Sequence, residues 1–384
     1  MEQKVNDLQQ LRIHELRDLG RKMGVNAPTS KKKEDLIQEI MKIMNGESVP
    51  FAFNTKKGRP VRNNSEDFDV VDLILPSQSE MQAFNDYTYG SYDEDKMRFM
   101  VRMDVNSGYG DSEVNSVFER EGVLEIKPEK FAVIHVDGYH SSYRDVFVNM
   151  IMVNQLNLKS GDKVLAKTRK VKENYPEIAY EITKLDKETG VNFDELQSQL
   201  LIEKVNILAN DIKEFHLGGR YYVNPSYDSY RLTCDLVKEI QKLDVKNLQV
   251  SALYLNAMME RLPYESEINM TAIPFSRPDE EVIMGTNLYF ERLKRYAESG
   301  MNVVCVINEI SQYAKSYNNI YINNNNFQDV SSKASYMTKA LFSNAKYTDK
   351  GSITIIAIDK LRVPTNIENM FKYEILPILN ETIK

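Results

Sequence analysis

The runs Gly122-Val-Leu-Glu-Ile126, Phe131-Ala-Val-Ile-His-Val136, Asp145-Val-Phe-Val148, Lys163-Val-Leu-Ala-Lys167 and Glu177-Ile-Ala-Tyr-Glu-Ile182 decide how this 384-residue chain reads. Each is short, rich in β-branched and aromatic residues, and bounded by turn formers, which is the pattern of strands. Five such strands between residues 122 and 182 predict a small closed β-barrel.

Their length and spacing suit an OB barrel of the cold-shock type, in which the middle strands present a face to nucleic acid. Phe131 and Phe147 lie on these strands. Spacing leaves two roles open for them, core packing or platforms for unstacked bases. Arg144, Lys167, Arg169, Lys170 and Lys172 supply the charge for a phosphate-binding rim.

Upstream of the barrel the chain divides by charge. The formal net charge of −7 averages two opposite segments. Residues 1–62 carry 13 Lys/Arg against 8 Asp/Glu, whereas residues 63–118 carry 3 against 12. A basic head before a self-repelling acidic spacer points to polyanion contact by the head.

In the head, residues 1–46, Leu11, Leu16, Leu19 and Met23 recur at helical spacing, Gly24 suits a C-cap and Pro28 blocks continuation. A second helix follows, with Thr29 or Ser30 as its cap and Leu36, Ile37, Ile40 and Met44 on its apolar face. Lys31-Lys32-Lys33 opens it, where the helix dipole disfavours cations. Polyanion contact and plain solvation both explain that run. Residues 47–118 read as an acidic, largely disordered linker with little that can build a core. Within it, Gly58-Arg59-Pro60 preceded by Lys57 resembles an AT-hook, which lies in the narrow minor groove of A·T-rich DNA; an ordinary basic linker is the alternative.

Downstream, over residues 188–384, strands alternate with helices. Arg220-Tyr-Tyr-Val223, Leu248-Gln-Val-Ser-Ala-Leu-Tyr-Leu255, Asn302-Val-Val-Cys-Val-Ile307 and Ser352-Ile-Thr-Ile-Ile-Ala-Ile358 read as buried parallel strands. Helical patterns over 231–243, 279–299 and 331–344 complete an α/β domain. The fold class is thus multidomain α+β and α/β: a small helical head, a five-stranded barrel at 119–187 and a C-terminal α/β domain.

With 42% hydrophobic and 27% charged residues, a wholly disordered chain is excluded. No apolar run reaches membrane-spanning length, and the opening stretch lacks the basic and apolar regions of a secretory leader. A cytoplasmic protein with no membrane partner is expected. Cys234 and Cys305 sit singly among apolar residues, so neither a disulfide framework nor a metal site is expected.

The order of these parts resembles the bacterial transcription termination factor Rho over nearly the whole chain. Leu11-Arg-Ile-His-Glu-Leu-Arg-Asp-Leu-Gly20 with Lys33-Glu-Asp-Leu-Ile-Gln-Glu-Ile40 looks like the Rho N-terminal helical domain, and also like a SAP-type DNA-binding hairpin. Gly122-Val-Leu-Glu-Ile126, Arg144-Asp-Val-Phe-Val148 and Leu156-Asn-Leu-Lys-Ser-Gly-Asp162 are similar to its cold-shock RNA-binding domain in order and spacing. Ala314-Lys-Ser-Tyr-Asn318 and Gly351-Ser-Ile-Thr-Ile-Ile-Ala357 resemble its RecA-like motor domain. The resemblance implies base contacts from Phe131, His135, Asp145 and Phe147. An aromatic floor with a carboxylate acceptor suits a pyrimidine. Three positions depart from the family: Val133 and Glu177 replace aromatics, and His135 replaces an arginine.

The motor resemblance also implies a P-loop, in which glycines and backbone N–H groups wrap phosphates, a lysine reaches them and a hydroxyl holds Mg²⁺. The chain instead reads Asn224-Pro-Ser-Tyr-Asp-Ser-Tyr-Arg231, without glycine or lysine. Pro225 stands in the turn, Tyr230 at the lysine position and Arg231 at the hydroxyl position. Asn256-Ala257-Met258 takes the place of the catalytic carboxylate, and Asn308 that of the Walker B aspartate. Glu309 follows, on the opposite face if strand alternation holds. The sequence stops at Lys384, before the region that supplies the arginine finger in Rho. A degenerate site with no catalytic residue and no bound ATP or Mg²⁺ is expected.

The expected function is that of a Rho-like protein in transcription termination or its regulation. It would bind single-stranded, pyrimidine-containing RNA, and its inactive motor domain would be kept for contact with Rho subunits or further copies of itself. Two alternatives stand beside it: an active ATP-dependent RNA translocase or helicase, and a SAP/AT-hook-type architectural protein with DNA as its ligand.

Overall fold

The structure, a computed structural model, describes residues 8, 12–23, 25–44, 79–81, 83–84, 117–170, 176–187, 189–199, 215–225, 228–262, 269–321 and 330–383. The chain forms two compact units, residues 1–137 with 141–185, and residues 138–140 with 186–384.

The first unit begins with α1 (Ile13–Lys22), a 3-10 turn (Pro28–Ser30) and α2 (Lys33–Met44). Leu16, Leu19, Met23, Leu36, Ile37 and Ile40 pack together in a small core that also takes in Ile151. Thr29 and Ser30 do not cap α2 as expected; both sit inside the 3-10 turn, where the Ser30 hydroxyl donates to the Ala27 carbonyl. The lysine run is partly neutralised within the fold, since Lys31 pairs with Glu39 and Glu34 and Asp35 occupy the first turn of α2.

The barrel comprises β1 (Val117–Ile126), β2 (Phe131–His135), β3 (Val146–Asn149), β4 (Lys163–Lys170) and β5 (Glu177–Lys184), with a short helix α3 (Met150–Gln155) after β3. It closes in the order β1-β2-β3-β5-β4, with only the β3–β5 pair parallel. β1 starts earlier than its sequence pattern suggested, because Val117 already pairs with Arg169. Gly122 is required where β1 crosses β2: a Cβ there would lie 2.3 Å from the His135 carbonyl oxygen. Asn149 starts α3 by accepting the Ile151 N–H at 2.9 Å.

Strand alternation gives β2 two different faces. Ala132 and Ile134 point inward with Leu124, Val146, Val148, Val164 and Ala166, and these fill the barrel. Phe131, Val133 and His135 therefore share the outward face, and the register sets Val133 opposite Phe147 of β3.

The second unit contains β6 (Arg220–Val223), α4 (Ser229–Gln241), β7 (Leu248–Ala257), β8 (Met270–Pro274), α5 (Asp279–Glu298), β9 (Asn302–Asn308), α6 (Ser311–Tyr321), α7 (Ser332–Ser343), β10 (Lys346–Tyr347), β11 (Ser352–Ile358), α8 (Thr365–Met370) and β12 (Glu381–Ile383). The sheet runs β12-β6-β11-β9-β7-β8, all parallel, with β10 added antiparallel to β11. The four strands expected from sequence form its centre in the order β6-β11-β9-β7, while β8 and β12 extend it at the edges. Near-continuous apolar strands are required here because helices cover both faces. One face packs Tyr222, Leu253, Leu255, Ile307 and Ile355 against residues of α5, α6 and α7. The other packs Tyr221, Tyr254, Val304, Val306 and Ile356 against α4. Cys234 and Cys305 are both buried and unbridged. Among the described residues no helix is long and apolar enough to cross a membrane, and no group of His, Cys, Asp or Glu could hold a metal ion.

Candidate nucleic-acid interface and nucleotide turn

On the outward face of β2 and β3, Phe131 and Phe147 stack with ring centroids 5.6 Å apart and planes 19° from parallel. Of the two roles left open by the sequence, the structure shows packing. The rings lie outside the barrel core, yet they are only 1% and 0% exposed. The cover is Phe84, on a segment whose residues 79–81 and 83–84 are helical. Its ring lies 6.2 Å from Phe131 and 6.0 Å from Phe147 and is itself 1% exposed. Phe84, Phe131, Val133, Phe147 and Ile178 form an apolar cluster separate from the barrel interior. Residues 47–118, expected to hold little that can build a core, supply Phe84 to this cluster. Sequence reading passed over Ser79-Glu-Met-Gln-Ala-Phe84 because it sits in an acidic tract, although it is free of glycine and proline and helix-favouring throughout.

His135 and Asp145, both expected to contact a base, are buried here and lie against each other. The His135 Nδ1 lies 3.0 Å from an Asp145 carboxylate oxygen, and its Nε2 lies 2.8 Å from Glu125. Lys127 adds a second cation 2.7 Å from Glu125. Burial alone would push the imidazole pKa down; the fields and hydrogen bonds of Asp145 and Glu125 overcome it and raise it to about 9. Burial likewise opposes the Glu125 charge, but His135 and Lys127 bring its carboxyl down to about 2. An imidazolium held between two carboxylates is the result.

The expected phosphate rim is engaged in ion pairs. Arg144 reaches Asp137 at 2.9 Å, and Lys167 reaches Glu181 at 3.0 Å. Such solvent-accessible pairs are weak. Arg169 is half-buried on β4, opposite Val117 and Ile178. Glu177 accepts two hydrogen bonds from Arg120, at 2.9 and 2.6 Å, and one from Thr168 at 2.8 Å, so this departure from the family serves the barrel wall. Lys57, Arg59 and Lys172 lie outside the described residues.

At the turn between β6 and α4, Asp228 caps α4 by accepting the Arg231 N–H at 3.0 Å. It also pairs with Arg261, and these contacts, the backbone bond foremost, lower its pKa. A helix N-terminus attracts phosphate through free N–H groups and a positive pole, and here the chain's own carboxylate takes that position. Tyr230 does not project as a lysine would. It is buried, stacks on Tyr254 at 5.2 Å, accepts the Met258 N–H at 2.9 Å and carries the Arg261 guanidinium 4.4 Å above its ring. Arg231 points to solvent with its side chain 80% exposed, 3.9 Å from Asp235. Pro225 is buried. Asn308 is buried at the end of β9 and donates to Thr233 at 2.9 Å. These residues do not fit a triphosphate with Mg²⁺.

Glu309 follows β9 as a left-handed residue. It has a φ of 60°, and its carboxylate accepts from Asn256 at 3.2 Å. Burial raises its pKa. Sequence reading also missed Arg261, whose segment it aligned poorly.

Comparison with known proteins agrees with this architecture. Residues 120–189 match the family model "Rho termination factor, RNA-binding domain", and residues 7–44 match "Rho termination factor, N-terminal domain". Transcription termination factor Rho of Streptosporangium roseum is 26% identical over 215 residues, 52% of this chain and 55% of that protein. Rho of Thermotoga maritima is 26% identical over 277 residues, 64% of each chain. The chain thus spans between about half and two thirds of the length of these relatives. Among solved structures, an ATPase from a type III secretion system aligns at a TM-score of 0.41 with 16% identity, covering 53% of this chain and 61% of that one. With a helical head that matches the Rho N-terminal model and a barrel that matches the Rho RNA-binding model, followed by a parallel α/β sheet, this chain is similar to transcription termination factor Rho.

Proposed function

We propose that the chain is an RNA-binding protein of transcription termination or its regulation that acts without hydrolysing ATP. The barrel engages single-stranded, pyrimidine-containing RNA in the cytoplasm through the outward face of β2 and β3, and the α/β unit serves as a protein-contact surface. The observation that carries this reading is the stacked Phe131–Phe147 pair on the face the topology leaves outside the barrel core. A flat aromatic pair offers stacking worth about 1–3 kcal/mol per base. The self-capped helix at Asp228 and the buried Tyr230 support the loss of hydrolysis, because phosphoryl transfer rests on positioning and charge stabilisation.

Two measurements test the two halves. Filter binding of a C-rich oligonucleotide should fall at least about tenfold in a Phe131→Ala/Phe147→Ala variant shown to be folded by circular dichroism; equal binding removes the site. Phosphate release in the presence of RNA should stay at background, and RNA-stimulated turnover would refute the non-hydrolytic reading.

A further inference from the structure

The aromatic face of the barrel is the natural landing place for a base, yet it is not open in this chain. Phe84 lies over both platform rings at 6.2 and 6.0 Å, inclined by 53° and 65° to them. It reaches this face from a segment earlier in the chain than any strand of the barrel. Ala83 and Tyr180 flank it. The barrel does not need Phe84 to fill its interior, which is complete with Leu124, Ala132, Ile134, Val146 and their neighbours. A separate apolar cluster on the outward face, closed by a residue from outside the barrel, is the arrangement of a bound ligand more than of a core.

We propose that Phe84 is an intramolecular occupant of the base platform, so that docking of residues 79–84 and stacking of an RNA base on Phe131 and Phe147 exclude each other. This rests on the RNA-binding reading above. A phenyl ring and a pyrimidine are both flat and offer a π-face, and they compete for one surface. The sequence around Phe84 adds a second deterrent: residues 63–118 hold 12 carboxylates against 3 cations, a charge balance that disfavours phosphates near any segment it carries to the platform. RNA then binds with an apparent affinity reduced by the fraction of molecules in which the platform is open. The chain sets its own threshold for RNA, and any partner that captures the 79–84 segment lowers it.

The test uses the full chain and a fluorescently labelled oligocytidine in anisotropy titrations at low salt. Phe84→Ala should bind about tenfold or more tightly than wild type, because the competitor is gone. Hydrogen exchange on the unmutated protein supplies a readout that does not depend on how the variant folds. Saturating oligocytidine should speed exchange in peptides covering 79–84 while slowing it in β2 and β3. Equal or weaker binding by Phe84→Ala, with Phe131→Ala still reducing wild-type binding, overturns the competition and leaves the RNA-binding reading standing. Unchanged or slower exchange at 79–84 on RNA addition overturns it too. No binding by either wild type or Phe84→Ala refutes the RNA-binding reading and this proposal with it.

Discussion

Raising the pH from 6 to 9.5 should unlock the barrel through one side chain. His135 has an ordinary pKa of 6.5 and a folded value of about 9. At roughly 1.4 kcal/mol per unit, that difference is worth on the order of 3 kcal/mol. Because the folded value lies above the unfolded one, the stabilisation is complete below about pH 6.5 and is lost as pH rises through about 9. Glu125 reports the same contact from its other end, with stability present above pH 4.5 and lost as pH falls toward about 2, so the two figures are not added. Pulse proteolysis in urea, with barrel peptides followed by mass spectrometry, should show the barrel midpoint falling over that alkaline window. His135→Gln should be flat across the window and less stable at pH 6 by about 3–5 kcal/mol, since Asp145 stays buried without its cation while Glu125 keeps only Lys127. The chain has 4 histidines, so their imidazole signals can be followed singly by NMR. One should remain protonated until about pH 9. All four titrating at or below 6.5 would refute the assignment of an imidazolium.

Gly122→Ala should destabilise the barrel by more than about 2 kcal/mol, because its Cβ would meet the backbone of β2 at 2.3 Å and no side-chain rotation relieves the clash; urea midpoints measure this, and a wild-type midpoint would contradict it. Restoring P-loop residue types by Tyr230→Lys with Arg231→Thr should give no detectable binding of a fluorescent ATP analogue, since Asp228 still occupies the helix N-terminus; micromolar binding by that variant would show that the cap yields.

The barrel was legible because β-branched runs and turn residues are local signals, and because a period of two separates inward Ala132 and Ile134 from outward Phe131 and Val133. Register is not local. Nothing in the pattern around His135 announces that Glu125, on the neighbouring strand, closes an ion pair with it. The parallel sheet was legible at its apolar centre and not at its edges. There β8 is five residues ending in Pro274 and β12 is three residues, too short to show a period. The left-handed backbone at Glu309 was not legible, because an acidic side chain gives little warning of a positive φ. Phe84 was missed because its partners lie in a distant part of the chain. A single aromatic in a charged tract looks like a solvated residue until the surface that receives it is known.

Asp228 bears on how the α/β unit is maintained in a cell. A domain whose helix grips a phosphate gains stability from its ligand by mass action, and its folded fraction follows nucleotide concentration. Here the electrostatic demand of α4 is met by a covalently attached carboxylate. On the proposed reading that this site takes no nucleotide, the unit's thermal midpoint should not move when ATP and Mg²⁺ are added.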